Sequence, residues 1–548
     1  MFNRKAELPP EIIDCPFFGN PDEEFNSFVA FRSRSCKNFF KKLDVKKATG
    51  HDKISAMILK KLCDCLARPF TRVCRRLFEE GCWPTMWKYH LIIPIFKKGA
   101  AFEPKNYRGV HLTSILSKVA EKMIGLHLIP ILQRRAFGEN QWAFRNGLSA
   151  RDLVTMLMMS WILATCTGKK IGAYLSDITG AFDRVYKPYL LAKLQGFGVG
   201  AKFLNFLDAY LSPRRGQVVV QGTYSDTFQI ANSVFQGTVL GPPLWNSFFS
   251  DVSTAATCTG GKGQMFADDL NVFQTFDRKE PLKKCEEQLK CCKDQVHKWG
   301  GMNRVSFDAS KEHMVVLHPT ENHGQAFKLL GCMIDVDLRM HSALDQLLSK
   351  IRPKTTAILR TRAYYDTSEL ILQFKTHVWS LIEMNIGGYF HAAASLLEKI
   401  DDIHDRFIHE LGLSSAEAFL KYNVPPPKLR RNVGILGLLH KRVLGKCHPS
   451  FEALLPWSSS RFSVSRGLGH SKQLYGHNIE VTHHQAIFNR SIFAMVDIYN
   501  NLPQYVVDSP TISTFQSLLT RIARRRCESG DVSWASSFCR TFEHHFED

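Results

Sequence analysis

Two adjacent carboxylates, Asp268 and Asp269, sit between short apolar runs, Met265-Phe266-Ala267 before them and Leu270-Asn271-Val272-Phe273 after. The pattern predicts two strands joined by a tight turn with the acids at its tip. Neighbouring carboxylates repel, so such a pair is costly unless a cation relieves it. Side chains alternate along a flat strand, so a turn is needed to aim Asp268 at a cation while Asp269 supports it. A solvated hairpin turn is the commoner explanation of an Asp-Asp pair taken alone. Asp177 changes that weighing. It follows the apolar run Ile171 to Ser176 and precedes a Thr179-Gly180 turn, the end of a strand from which a carboxylate can meet a ligand on a neighbouring strand. Two carboxylates bridging two hard cations is the arrangement phosphoryl transfer requires. A cap on the next helix is the alternative role for Asp177.

These acids need a scaffold of strands and helices. Strand candidates are Leu91–Phe96, Ile171–Ser176 and Gln217–Val220, besides the two runs around Asp268. Helical patterns follow over Ala181–Leu194 and Glu280–Trp299, with a Gly/Pro-rich turn at Gln236–Pro243. Interleaved strands and helices point to an α+β domain on a small sheet. From His341 to about Leu413 the pattern is helical, and Pro425-Pro426-Pro427 reads as a linker or turn before a mostly helical remainder. Residues 1–37 read as a poorly ordered lead-in.

The 548 residues carry 71 lysines and arginines against 51 aspartates and glutamates, a net charge of +20. That balance suits a polyanionic partner, since cationic side chains displace counterions from phosphates; solubility or an anionic lipid surface would also account for it. The 15 cysteines include no Cys-x-x-Cys pair, so free thiols in a reducing compartment are expected and not a structural zinc site. The first thirty residues lack a secretory pattern, and no stretch approaches a membrane span. An intracellular protein is expected.

The segment Leu175-Ser176-Asp177-Ile178-Thr179-Gly180-Ala181-Phe182-Asp183 resembles the first catalytic motif of reverse transcriptases, especially those of non-LTR (LINE-like) retrotransposons. Phe266-Ala267-Asp268-Asp269 resembles their Tyr/Phe-Ala-Asp-Asp motif, and Phe235-Gln236-Gly237 with Leu240-Gly241-Pro242 the segment between the two. Ile93–Gly99 followed by Asn106-Tyr107-Arg108 is similar to the family's fingers motif, and Ala48–Ile54 to its forerunner. Gln141–Arg145, Leu329–Cys332 and Tyr499–Pro503 also fall in family order, so the resemblance spans roughly 38–525.

The resemblance implies a right-hand polymerase, α+β, with fingers, a palm on a small antiparallel sheet, and a helical thumb. Fingers and palm would cover 38–337, the thumb 338–415, and a mostly helical, nucleic-acid-binding C-terminal region 416–548. It implies Asp177, Asp268 and Asp269 as catalytic residues. Two Mg2+ or Mn2+ ions would be held by Asp177, Asp268 and the Ile178 carbonyl. Lys97, Lys98 and Arg108 would hold the triphosphate, and Phe182 would exclude a ribose 2′-hydroxyl. Gln236-Gly237 would touch the nucleotide and template backbone, and Lys311 would protonate pyrophosphate. Partners would be an RNA template, a DNA primer and deoxynucleotides, met in the nucleus where target DNA lies. The thumb would grip phosphates through Lys350, Arg352, Lys354, Arg360 and Arg362. Gly109 stands after Arg108 where the family usually has proline, which implies a looser loop. No endonuclease pattern accompanies these motifs, and a catalytically silent nucleic-acid-binding remnant of a retroelement is the alternative.

Overall fold

The computed structural model describes residues 29–178, 180–231, 234–458, 470–477 and 480–539. Most of the expected lead-in lies outside the described residues, and the helix Ser33–Lys41 begins before residue 37. Among the described residues the strands are β1 (Tyr89–Phe96), β2 (Tyr107–Leu112), β3 (Lys169–Asp177), β4 (Arg214–Val220), β5 (Thr223–Tyr224), β6 (Phe228–Ile230), β7 (Lys262–Phe266), β8 (Asp269–Asp277), β9 (His313–Leu317), β10 (Phe327–Leu329) and β11 (Cys332–Ile334). The class is α+β, as expected.

The chain divides into two compact units. One comprises Met1–Arg145, Leu175–Val272 and Cys291–Glu312; the other comprises Asn146–Tyr174, Phe273–Lys290 and His313–Asp548. Strands β3 and β8 and the helix Leu282–Asn303 each contribute residues to both.

In the first unit, β1 pairs antiparallel with β2, placing Ile95 opposite Arg108 and Pro94 opposite Gly109. Its other edge runs parallel to β4, but only over Tyr89–Ile92. Pro94 therefore sits where β1 has a single neighbour, and its missing N–H breaks no ladder. Gly109 lies within β2 and not in a loop: a Cβ there would come 2.9 Å from the Ile92 side chain, so the position needs closeness, not slack. This sheet, ordered β2-β1-β4-β5 with β6 on β4, is mixed and not purely antiparallel. Beside it, the hairpin β7–β8 adjoins the end of β3. Apolar residues make β3 a buried strand from Lys170 to Ser176, and the burial ends at Asp177.

The pattern over Ala181–Leu194 resolves into two pieces. Gly180 takes φ +63°, Ala181–Arg184 forms one 3-10 turn, and the α-helix starts only at Lys187 with Pro188 in its first turn. Proline lacks the N–H that a first turn leaves unpaired anyway, so it marks the true start.

The second unit is mainly helical. Ala150–Cys166 is buried almost all round, through Leu153, Val154, Met156, Leu157, Met159 and Ile162 among others, each worth about 1.5–3 kcal/mol of burial. Gly387 lets a neighbouring helix touch it, since a Cβ there would collide with Thr155. Helices His341–Arg360, Thr367–Phe374 and Ala394–Glu410 bear out the helical stretch. Pro425–Pro427 is no free linker: Val424, Pro425 and Pro427 are buried, and Pro427 opens the helix Pro427–Val443. Among the described residues no helix is long and apolar enough to cross a membrane.

Candidate active site

Asp177, Asp268 and Asp269 come together in the first unit. Burial, and then the charge of Asp177, pushes the Asp268 carboxyl up to about 6. Asp269 rises further, to about 7, through burial and the charges of both other acids. Desolvation and like charge act in the same direction here, which is the signature of carboxylates held together against their preference. Positive charge on Arg108 and Lys311 offsets part of it at Asp268.

The turn that carries these acids is strained and braced. Ala267 has φ +58°, a left-handed conformation that a residue with a side chain seldom adopts. The buried Gln141 holds it from both sides: its Oε1 accepts from Ala267 N at 3.0 Å, and its Nε2 donates to Ala267 O at 3.3 Å. Trp245 Nε1 donates to the same oxygen at 3.0 Å. Next door, Trp142 N donates to Met265 O at 2.9 Å, and Met265 N to Asn140 O at 2.8 Å, so the segment zips onto the edge of β7. Sequence reasoning noted Gln141 only as part of a motif and assigned Trp245 nothing. A glutamine followed by tryptophan was the visible signal, but its partners lie 126 positions away.

Phe182, on the 3-10 turn after Asp177, stacks on Trp245 with ring centres 5.7 Å apart and planes 20° from parallel. One indole thus supports the phenylalanine with its face and the catalytic-type turn with its edge. Glu121 was also missed. It is fully buried on the apolar helix Ile115–Arg135, and its Oε2 accepts from Val239 N at 2.5 Å and Leu240 N at 3.1 Å. A carboxylate there complements the start of the helix Gly241–Phe249 and holds the loop before it. Burial raises its pKa.

That loop contains Gln236 and Gly237. His111 N donates to Gln236 O at 3.2 Å. Gly237 has φ +94°, and a Cβ on it would lie 2.8 Å from His111 O, so glycine is required twice over. Beneath it, His111 Nδ1 meets His90 Nδ1 at 2.8 Å, and His90 Nε2 lies 3.3 Å from Arg214 Nη1. Burial, then the arginine charge, lowers both imidazoles, His111 to about 4. They are neutral struts.

Arg108 is exposed on β2, and its charge reaches Asp268. Lys97 and Lys98 are exposed just past β1, with Lys97 N donating to Asn106 O at 2.8 Å. Lys311 Nζ is ion-paired with Asp177 Oδ2. Burial lowers the Lys311 pKa, but the bond and charge of Asp177 outweigh it and hold the ammonium above its usual range. The Asp177 carbonyl accepts from Asp308 N at 2.9 Å, and Ile178 forms a bridge with Phe307 in which that carbonyl, and not its own, is used. Among the described residues no group of three or more His, Cys, Asp or Glu side chains is disposed to hold a metal ion. Donor chemistry nevertheless suits a hard dication: burial and like charge raise Asp268 and Asp269, Arg108 and Lys311 offset only part of that at Asp268, and Asp177 has already drawn a cation, the Lys311 ammonium, onto its oxygen.

In the second unit Lys350, Arg352, Lys354 and Arg360 are exposed on the helix His341–Arg360, whose opposite face buries Leu344, Leu347, Leu348, Ile351 and Ile358. Arg362 follows it, exposed and paired with Glu410 at 2.6 Å.

Residues 95–334 match the family "Reverse transcriptase (RNA-dependent DNA polymerase)". The chain is 32% identical over 214 residues to the Probable RNA-directed DNA polymerase from transposon BS of Drosophila melanogaster, covering 39% of this chain and 24% of that protein. It is 27% identical over 341 residues to the RNA-directed DNA polymerase from mobile element jockey of the same organism, covering 58% and 36%. It thus spans well under half the length of these curated relatives. A solved apo telomerase chain from Candida tropicalis aligns with 52% of this chain and 60% of its own at 11% identity and a TM-score of 0.34. Residues 95–334 are therefore similar to the reverse transcriptase domains of the RNA-directed DNA polymerases of non-LTR, LINE-like transposons.

Proposed function

We propose that this chain is an RNA-directed DNA polymerase that extends a primer 3′-hydroxyl with deoxynucleoside triphosphates by two-metal phosphoryl transfer. The observation that carries the reading is the electrostatic coupling of Asp177 to Asp268 and Asp269, which are far apart in sequence. Asp177, Asp268 and the Ile178 carbonyl would hold two Mg2+ or Mn2+ ions, with Asp269 beside them. Ions bound there supply charge stabilisation at the attacking oxygen and the leaving pyrophosphate. The protein's own part is positioning and electrostatics. Arg108, Lys97 and Lys98 bind the triphosphate, cation to anion. Phe182 excludes a 2′-hydroxyl from the sugar site, and Gln236-Gly237 lines the nucleotide and template backbone. Lys311 leaves Asp177, carries its proton at Nζ, and delivers it to pyrophosphate.

Fingers and palm cover 38–337, a thumb 338–415, and a further region 416–548. Lys350, Arg352, Lys354, Arg360 and Arg362 grip the RNA template and DNA primer by their phosphates. An element that copies itself into chromosomal DNA would act in the nucleus. Primer extension on an RNA template with Mg2+ or Mn2+ tests the reading: wild type extends, and Asp268→Ala falls by about 10³-fold or more. Equal extension by both would overturn it. A second reading, a nucleic-acid-binding chain without polymerase activity, is favoured by the Lys311–Asp177 pair, which satisfies Asp177 with a side chain. Under it, wild type binds primer–template but does not extend.

A further inference from the structure

The second unit contains a cavity of about 650 Å³ between the helices Pro427–Val443 and Ile512–Glu528, none of whose lining residues has been assigned a role above. One face of Ile512–Glu528 lines it with Ser513, Gln516, Ser517, Thr520, Arg521 and Arg524. Those spacings of three and four place the six residues on one polar stripe of the helix, opposite its buried Phe515, Leu519 and Ala523. Two further arginines, Arg151 and Arg430, and a single carboxylate, Glu383, complete its charged lining. Two of the four arginines are already committed: Arg430 Nε donates to Glu383 at 2.5 Å, and Arg524 Nη2 donates to the carbonyls of Phe419 and Leu420 at the end of the helix Ser415–Tyr422. That leaves the exposed Arg151 and Arg521 facing a cavity lined by the hydroxyls of Ser513 and Ser517, with its one carboxylate already neutralised; Thr520 Oγ1 donates to Gln516 O at 2.8 Å and Gln516 Nε2 to Val433 O at 3.4 Å.

Gly434 lines the cavity, and at Gly437, one turn on, a Cβ would collide with Gln516, so both helices must approach along this line. Surplus guanidinium charge amid neutral donors is the composition of a phosphate site. The stripe from Ser513 to Arg524 runs about 16 Å at 1.5 Å per residue, long enough to face several phosphates of one strand.

We infer that this cavity is a second nucleic-acid site, which holds the phosphate backbone of a single strand through Arg151, Arg521 and the hydroxyls beside them. It does not rest on the polymerase reading, since occupancy is read by binding and not by extension. The test is photo-crosslinking of a short 4-thiouridine oligoribonucleotide to the full chain, mapped by peptide mass, for wild type and for the double variant Arg151→Ala, Arg521→Ala. Crosslinks to Ser513–Arg524 are expected in wild type. They should fall about tenfold in the variant while crosslinks to His341–Arg360 persist and the melting temperature holds. The salt slope of oligonucleotide binding should also fall by about 1.4, two single-strand phosphate contacts. A variant that loses stability is replaced by Arg521→Lys with Arg151→Lys, which keeps the charge and should retain the crosslinks. Absence of crosslinks at Ser513–Arg524, or unchanged crosslinks and slope in the double alanine variant, overturns the inference. So does inorganic phosphate displacing the strand completely at millimolar concentration, which marks a small-anion site instead.

Discussion

Asp269 carries the highest cost at the centre, since its pKa of about 7 comes from burial and two neighbouring acids. An acid whose folded pKa is raised favours folding only while protonated. Its penalty is absent below the unfolded value near 3.9 and grows as pH rises to about 7. In chelator-treated protein, Asp269→Asn should therefore be stabilising at pH 8 by about 4 kcal/mol more than at pH 4. Urea midpoints at the two pH values measure this, and an identical effect at both would contradict the repulsion. Phe182 makes a different prediction, about choice and not stability. Phe182→Ala should relax discrimination against ribonucleotides by roughly 10–100-fold in kcat/KM, and an unchanged ratio would remove it from the sugar site. The placement of the three acids and the phenylalanine was legible in the sequence because each lies beside an apolar run or a glycine that marks a strand end. Gln141, Trp245 and Glu121 were not, because their work is done on backbone groups more than twenty positions away.

The hairpin β7–β8 is the element on which the acids depend, and it is held in place by a neighbour that adds no chemistry of its own. Gln141 supplies three bonds, two to Ala267 and one from Ala143 N at 3.0 Å. Truncation to alanine would leave buried backbone groups unpaired at about 1–3 kcal/mol and let the strained Ala267 relax. Gln141→Ala should lower kcat for extension while KM for the nucleotide stays close to wild type, and full retention of kcat would show the brace to be dispensable. Strand positions were readable from apolar runs, but strand partners were not. The parallel pairing of β1 with β4 joins segments more than a hundred residues apart, and no local pattern encodes it. One helix start was misread for a local reason: the pattern over Ala181–Leu194 ran on through Pro188, although Ala181–Arg184 forms a 3-10 turn and Pro188 marks the opening of the helix.

At the scale of the chain the net charge is +20, and a stripe of it, Lys350, Arg352, Lys354 and Arg360, is exposed on the helix His341–Arg360. Phosphate contacts release counterions, so affinity must fall with salt. Arg352→Ala with Lys354→Ala should flatten the log–log salt dependence of primer–template binding by about 1.8. Fluorescence anisotropy across a salt series measures the slope, and an unaltered slope would place the template elsewhere. Composition was compatible with a polyanionic partner, with an anionic lipid surface or with solubility alone, and located none of them. The interleaving of the units had no counterpart in the sequence, since strands β3 and β8 are each shared between them.

The two-sided role of Trp245 has a consequence for how such a protein can change. Its ring face backs Phe182 and its N–H anchors Ala267, so under the proposed function any exchange of the indole would disturb sugar choice and turnover together. Variation that trades accuracy against speed is thereby channelled away from this position, toward residues that touch only one of the two.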